Sequence, residues 1–250
     1  MILCFCTHKG GTGKTTSSLN LAAGLARAGK KTLLVDLDPQ GHSSLGLGQE
    51  LAYDEPNMAD VLGDRALPLE EIIRETTIPH LALAPANLRL ASVAESLFTK
   101  FKREERLRQS LEPLQASFDW VVIDCPPALG VLTANAVSAA DIVVIPCQVG
   151  ARALDGLGDL LNLVRLLKNK DFENWWILVT MVDARKTVSQ EIFEELLKRY
   201  ETKLLKTRIP MSEALNQAQM AREPVFSFDP KSRGAQNYEE LTKEILEKYS

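Results

Sequence analysis

Lys9-Gly10-Gly11-Thr12-Gly13-Lys14-Thr15 is the stretch that decides the fold. It follows an apolar segment, Ile2 to Cys6, and precedes a run over 16–28 that reads as a helix. Strand, glycine loop, lysine, hydroxyl and helix in that order make a phosphate cradle. Glycines let backbone N–H groups turn inward, and a helix N-terminus adds partial positive charge. Lys14 is placed to reach β- and γ-phosphates, and the Thr15 hydroxyl to hold Mg²⁺. Against the pattern G-x-x-x-x-G-K-[ST], the first glycine position holds His8, and Lys9 is an additional lysine.

Outward from this loop, short and nearly continuous apolar runs recur: Thr32–Val35, Leu81–Ala84, Trp120–Ile123, Ile142–Ile145 and Trp176–Val179. Continuous rather than alternating hydrophobicity points to strands buried on both faces, as in a parallel sheet. Helical stretches are expected near 16–28, 89–111, 130–139, 153–168, 188–200 and 212–221. This alternation predicts an α/β fold, a single doubly wound, mostly parallel sheet with helices on both faces. Ligands of such folds sit at the carboxyl ends of the strands, so the informative loops follow Cys6, Val35, Ile123, Ile145 and Val179. No repeat, low-complexity tract or Pro/Ser-rich linker divides the chain, and residues 1–250 are expected to form one domain. With the first strand starting almost at Met1, no N-terminal DNA-reading module is expected.

Composition narrows the class. A chain with 45% hydrophobic and 25% charged residues has the balance of a soluble globular protein. No apolar run approaches the ~20 residues of a membrane-spanning helix, and the N-terminus lacks a signal-peptide layout. Cys4, Cys6, Cys125 and Cys147 show no C-x-x-C spacing, and Cys4 and Cys6 fall on one strand face as small core residues. A reduced, cytoplasmic setting is expected. A net charge of −4 argues against a constitutive nucleic-acid binder but allows a local basic patch in an assembled state. Near the C-terminus, Tyr238, Leu241, Ile245 and Tyr249 form one helical stripe. Glu239, Glu240, Glu244 and Glu247 outnumber Lys243 and Lys248 beside it, which favours core packing over a basic membrane-targeting helix.

Two acidic loops give the glycine loop its chemistry. The second strand runs into Asp36-Leu37-Asp38-Pro39-Gln40-Gly41, and alternation puts Asp36 and Asp38 on one side. Facing a phosphate loop, one carboxylate serves the Mg²⁺ shell and the other orients an attacking water. The run Trp120-Val121-Val122-Ile123-Asp124 has the Walker-B layout, in which the carboxylate meets Mg²⁺ directly or through water. The following Cys125-Pro126-Pro127-Ala128-Leu129-Gly130 reads as a stiff loop able to report on a γ-phosphate.

The chain resembles the ParA/MinD group of deviant Walker-A ATPases, most of all the ParA branch that partitions DNA or positions cargo. The matching segments are Lys9–Thr16, Leu34–Gly41, Val122–Pro127, Thr180–Arg185, Arg208–Pro210 and Asp229–Ala235, in order along nearly the whole chain. The resemblance implies a P-loop ATPase using ATP and Mg²⁺, whose nucleotide contacts come from Gly10, Gly11, Thr12, Gly13, Lys14, Thr15 and Thr16. It makes Lys9 a signature lysine that reaches the ATP of a partner subunit, working like an arginine finger in trans. It gives Asp38 the water-orienting role, with Lys14 as the phosphate lysine, and puts Thr15, Asp36 and Asp124 in the Mg²⁺ region. Met181, Asp183 and the segment from Arg208 to Pro210 resemble the part that surrounds adenine.

The same resemblance implies an ATP-state homodimer that holds nonspecific DNA through its phosphates, and a cargo adaptor protein that stimulates hydrolysis. Localisation is then cytoplasmic and nucleoid-associated. Two basic clusters are candidates for the DNA surface: Lys100, Lys102, Arg103, Arg106 and Arg108, and Lys198, Arg199, Lys203, Lys206 and Arg208. Both contain interspersed glutamates, and Met211 to Glu223 carries only Arg222 where relatives have further arginines. The alternative reading is a MinD-like, membrane-associated division-site regulator, which the acidic final helix disfavours. An iron–sulfur carrier needs paired cluster cysteines that Cys125 alone does not supply. A small-molecule ligase leaves the Pro39-Gln40-Gly41 and Lys231-Ser232-Arg233-Gly234 matches unexplained.

Overall fold

Thr32–Asp36, Trp120–Asp124 and Ile2–Phe5 form strands because each places a large apolar side chain on both faces of the sheet. Leu3, Phe5, Leu34 and Val122 pack on one side, while Cys4, Leu33, Val35, Val121 and Ile123 pack on the other. The computed structural model describes residues 1–148, 156–182 and 187–249, with the backbone alone for 187–193.

In chain order the elements are β1 (Ile2–Phe5), α1 (Lys14–Arg27), β2 (Thr32–Asp36), α2 (His42–Leu45), α3 (Met58–Leu62), β3 (Arg74–Glu75), β4 (Leu81–Ala84), α4 (Arg89–Leu97) and α5 (Arg106–Leu111). The chain continues with β5 (Trp120–Asp124), α6 (Val131–Ala139), β6 (Ile142–Gln148), α7 (Leu157–Lys168), β7 (Trp175–Val182) and α8 (Thr187–Tyr200). The last elements are β8 (Leu204–Pro210), α9 (Glu213–Ala221), α10 (Val225–Phe228) and α11 (Arg233–Tyr249).

The eight strands form one sheet in the order β3-β4-β2-β5-β1-β6-β7-β8. Every pairing is parallel except that of β3 with β4. Residues of α3 to α7 cover one face and residues of α1, α9, α10 and α11 the other. The doubly wound, mostly parallel architecture expected from the sequence is therefore present. Each large apolar side chain taken fully out of water contributes roughly 1.5–3 kcal/mol, which is why both faces must be covered.

Two details differ from the reading of the sequence. The single helix expected over 89–111 is broken into α4 and α5, with Lys102 at φ 51° in the connection. Phe98 and Phe101, which would have continued an apolar stripe, are instead 57% and 87% exposed. Strand β8 was not among the continuous apolar runs, because only Leu205, Thr207 and Ile209 are buried while Lys206 and Arg208 are exposed. That alternation is what an edge strand with one covered face shows.

The C-terminal stripe packs inward as expected: Tyr238, Leu241 and Ile245 are buried against α1 and the sheet. The four cysteines are buried, and none forms a disulfide among the described residues. Glu244 on α11 accepts the backbone N–H groups of Lys206 and Thr207, both at 2.8 Å, tying the helix to the edge strand.

Candidate active site

Because β1, β2 and β5 are adjacent and parallel, their carboxyl ends deliver the glycine loop and both acidic loops to one place. Phe5 is the register partner of Asp124, and Asp124 in turn is the partner of Asp36. Sequence-distant residues thus meet by topology, at the end of the sheet where doubly wound folds hold ligands.

The glycine loop is folded as a cradle. Gly11 and Gly13 have φ of 72° and 84°, and the second forms the N-terminal boundary of α1. A residue with a Cβ is strained in that conformation. From β7, the Thr180 hydroxyl donates to the Thr12 carbonyl at 2.8 Å and braces the loop from the side. Lys14 is 6% exposed, and its ammonium donates to the Lys9 carbonyl at 3.4 Å, so the side chain is folded over the loop from its root in α1. Lys9 itself is exposed, and no described residue pairs with its ammonium. Pro127 closes the other side: a Cβ at Gly10 would lie 3.9 Å from that of Pro127.

The carboxylates form the floor. Asp124 is fully buried; Oδ1 accepts from the Ser18 hydroxyl at 3.1 Å and Oδ2 from Ser43 at 2.7 Å. Asp36 is also fully buried; Oδ1 accepts the Asp38 N–H at 3.1 Å, and Oδ2 accepts both the N–H and the hydroxyl of Ser44 at 2.8 Å. Asp38 is 6% exposed and accepts the Gln40 N–H at 3.0 Å, which fixes its carboxylate within the turn.

Burial pushes the Asp36 carboxyl well above the usual carboxylate range, and the neighbouring Asp124 adds to it against the Ser44 hydrogen bonds. Burial likewise raises Asp124, opposed by the hydroxyls of Ser43, Thr15 and Ser18. Two buried acids side by side make an environment that gains from a cation.

The donor set fits Mg²⁺. Thr15, Asp36 and Asp124 offer hard oxygen atoms, and one or two carboxylates with phosphate oxygens is how proteins usually hold this ion. Among the described residues no group of three or more His, Cys, Asp or Glu could hold a metal ion.

Beyond the loop, Gly13, Thr16, Thr180, Met181, Pro210 and Tyr238 line a pocket of about 90 Å³. It forms where β7 and β8 lose register, and Met181 there has φ of 53°. Sites that enclose a whole drug-sized ligand span roughly 300–1,000 Å³, so this one is too small to enclose such a ligand by itself. Arg208 is exposed on β8 and is not among the lining residues. Asp183 lies outside the described residues.

Sequence reasoning missed Ser18, Ser43 and Ser44. Serines carry no signal of their own, and 81 residues separate Ser43 from the carboxylate it holds.

The two basic clusters are largely engaged within the chain. Lys100 pairs with Asp64 at 2.8 Å, and Arg106 donates to the carbonyls of Leu62 and Gly63 at 2.7 and 3.0 Å. In the second cluster, Arg199 pairs with Glu195 at 2.7 Å and Lys203 with Glu173. Exposed pairs of this kind contribute little to stability.

Comparison with known proteins fits this geometry. Residues 1–177 match the family model described as "AAA domain". The chain is 44% identical to the sporulation initiation inhibitor protein Soj of Bacillus subtilis over 98% of this chain and 97% of that one. The chain belongs to the ParA-type ATPase family. It is also 37% identical to the chromosome partitioning protein ParA of Myxococcus xanthus, covering 99% of this chain and 88% of that one. Among solved structures, a cobyrinic acid a,c-diamide synthase from Mycobacterium smegmatis with bound ATP analogue and magnesium superposes with a TM-score of 0.85. The two are 31% identical, and the match covers 99% of this chain and 95% of that one. Membership of the ParA-type family gives the glycine loop and the acid pair a common purpose, and no helix among the described residues is long and apolar enough to cross a membrane.

Proposed function

We propose that this chain is a partitioning ATPase, a single ATPase domain over residues 1–250 that hydrolyses ATP with Mg²⁺ and dimerises in the ATP state. The dimer holds nonspecific DNA, and an adaptor on a plasmid, chromosome or protein cargo triggers hydrolysis and release. Its setting is cytoplasmic and nucleoid-associated. The observation that carries this reading is the convergence of Lys14, Thr15, Asp36, Asp38 and Asp124 at one end of the sheet while Lys9 stays exposed.

In this reading the N–H groups of Gly10 to Thr16 receive the phosphates and Lys14 swings from the Lys9 carbonyl onto β- and γ-oxygens. Thr15, Asp36 and Asp124 hold Mg²⁺, which when bound neutralises charge on the transferring group. Asp38, its carboxylate fixed by the Gln40 N–H, orients the attacking water. Met181, Asp183 and the segment from Arg208 to Pro210 surround the adenine, with Met181 and Pro210 in the small pocket beside Gly13. Lys9, exposed at the mouth of the loop, is the group this chain offers to the nucleotide of a second subunit.

A membrane-associated regulator is the weaker reading, because Tyr238, Leu241 and Ile245 are buried and leave α11 no apolar stripe for a bilayer.

Cosedimentation with nonspecific DNA or with anionic liposomes, in ATP or ADP, tests the proposal. Retention on DNA in ATP alone, falling steeply with salt, is expected. Retention only on liposomes, or DNA binding indifferent to nucleotide, overturns it.

A further inference from the structure

We infer that Ser43 is a positioning residue for the reaction: its hydroxyl fixes the Asp124 carboxylate and couples the Asp38–Gly41 turn to it. The inference rests on reading Asp124 as a carboxylate of the Mg²⁺ shell.

Of the two serine bonds on Asp124, that from Ser43 is the shorter, at 2.7 Å against 3.1 Å from Ser18. A length of about 2.5–2.7 Å is that of a charge-assisted O–H···O⁻ bond. Ser18 also donates to the Lys14 carbonyl at 2.9 Å, so its one proton is divided. Among the described residues, Ser43 has Asp124 as its only side-chain hydrogen-bond partner. Ser43 therefore has the stronger hold on that carboxylate's orientation.

Its place in the chain gives the bond a second consequence. Ser43 and Ser44 lie in α2, a helix of four residues that begins directly after Gly41 and has no side-chain cap. Ser44 holds Asp36 through its N–H and hydroxyl, and accepts the Ala86 N–H at 3.1 Å. Adjacent serines thus take one acid each of the register-paired Asp36 and Asp124. So short a helix is marginal by itself, and these bonds anchor the turn that carries Asp38. Loss of the Ser43 hydroxyl leaves the Asp124 carboxylate to the longer Ser18 bond and to Thr15, and loosens the turn on that side.

Partners that orient a metal's ligands typically contribute about 10–100-fold in metal affinity. Binding of a fluorescent ATP analogue, titrated with Mg²⁺ at fixed nucleotide, measures this without turnover. Ser43→Ala is expected to raise the half-saturating Mg²⁺ about 10-fold while leaving affinity in EDTA unchanged. Ser43→Cys preserves the packing with a weak donor, is expected to raise it in the same sense, and decides the matter if Ser43→Ala does not fold.

An unchanged Mg²⁺ requirement in the folded Ser43 variants, with a raised one in Asp124→Asn, overturns the role of Ser43 alone. If Asp124→Asn also leaves the requirement unchanged, the assignment of Asp124 fails and the inference falls with it. Equal loss of affinity with and without Mg²⁺ in the Ser43 variants means a structural defect, and overturns it too.

Discussion

Asp36 and Asp124 make opposite demands in the free and loaded protein. Both are fully buried and hydrogen-bonded, yet burial and mutual repulsion hold Asp36 well above its ordinary range. In the unfolded chain an aspartate ionises near about pH 4. The folded, Mg²⁺-free protein keeps its proton to higher pH, so the stability this group contributes is complete below that value and is lost as pH rises through the raised one. Thermal melts in EDTA are expected to fall between about pH 5 and pH 8, and Asp36→Asn, which cannot ionise, to flatten the slope. Saturating Mg²⁺ and nucleotide flatten it in the wild type as well. An identical slope in Asp36→Asn contradicts this account. Lys14 is tested more directly. A charge-assisted bond contributes about 1.5–3 kcal/mol, so Lys14→Ala should lose roughly 10- to 100-fold in nucleotide affinity. Unchanged binding of a fluorescent nucleotide would refute its assignment.

At the scale of elements, α1 joins the site to the rest of the fold. Behind Lys14 and Thr15 it runs against α11, where the Ser17 and Tyr238 hydroxyls meet at 3.0 Å in the buried interface. Two turns further, a Cβ on Gly24 would lie 2.2 Å from Thr242 Oγ1 and 3.3 Å from its Cβ. That threonine is held by its own bond to the Tyr238 carbonyl at 2.7 Å. Alanine at position 24 gains about 1 kcal/mol in helix propensity but meets an overpacking cost of roughly 1–3 kcal/mol. Overpacking should win, and Gly24→Ala should lower the denaturant midpoint; an unchanged or higher midpoint shows that α11 yields. The same elements show what was legible in the sequence. Strands β1, β2 and β5 stood out because coverage on both faces leaves no polar positions in their interiors. Strand β8 alternates at the sheet edge and β3 is only Arg74–Glu75, so neither makes a continuous run. The break between α4 and α5 was hidden because Phe98 and Phe101 keep an apolar pattern through a turn that exposes them. Glycines, lysines and acids of the site were legible from local order, whereas its serines act across the sheet and needed the topology.

At the scale of the whole molecule, the proposed function gives Lys9 a role in a second subunit. Its carbonyl receives the Lys14 ammonium and the Thr12 hydroxyl, so the backbone is part of its own cradle. Its side chain is exposed and no described residue pairs with it. A cation serving its own phosphate site and a cation serving another are separated by mixing variants. Lys9→Ala alone should bind ATP as a monomer and lose turnover, since a charge supplied in trans is worth about 10³–10⁵ in rate. Asp38→Ala alone should bind ATP and dimerise, visible by light scattering, yet hydrolyse poorly because nothing orients the water. In a mixed dimer, the Lys9→Ala subunit retains its own Asp38 and receives the partner's Lys9 from the Asp38→Ala subunit. One of the two sites is then complete, while the other lacks both groups. Turnover should therefore reappear on mixing, rise with the fraction of mixed dimer, and reach about half the wild-type rate per mixed dimer if the sites act independently. If Lys9 acts within its own subunit, each variant chain lacks a group that mixing cannot restore, and the mixture stays as inactive as its parts.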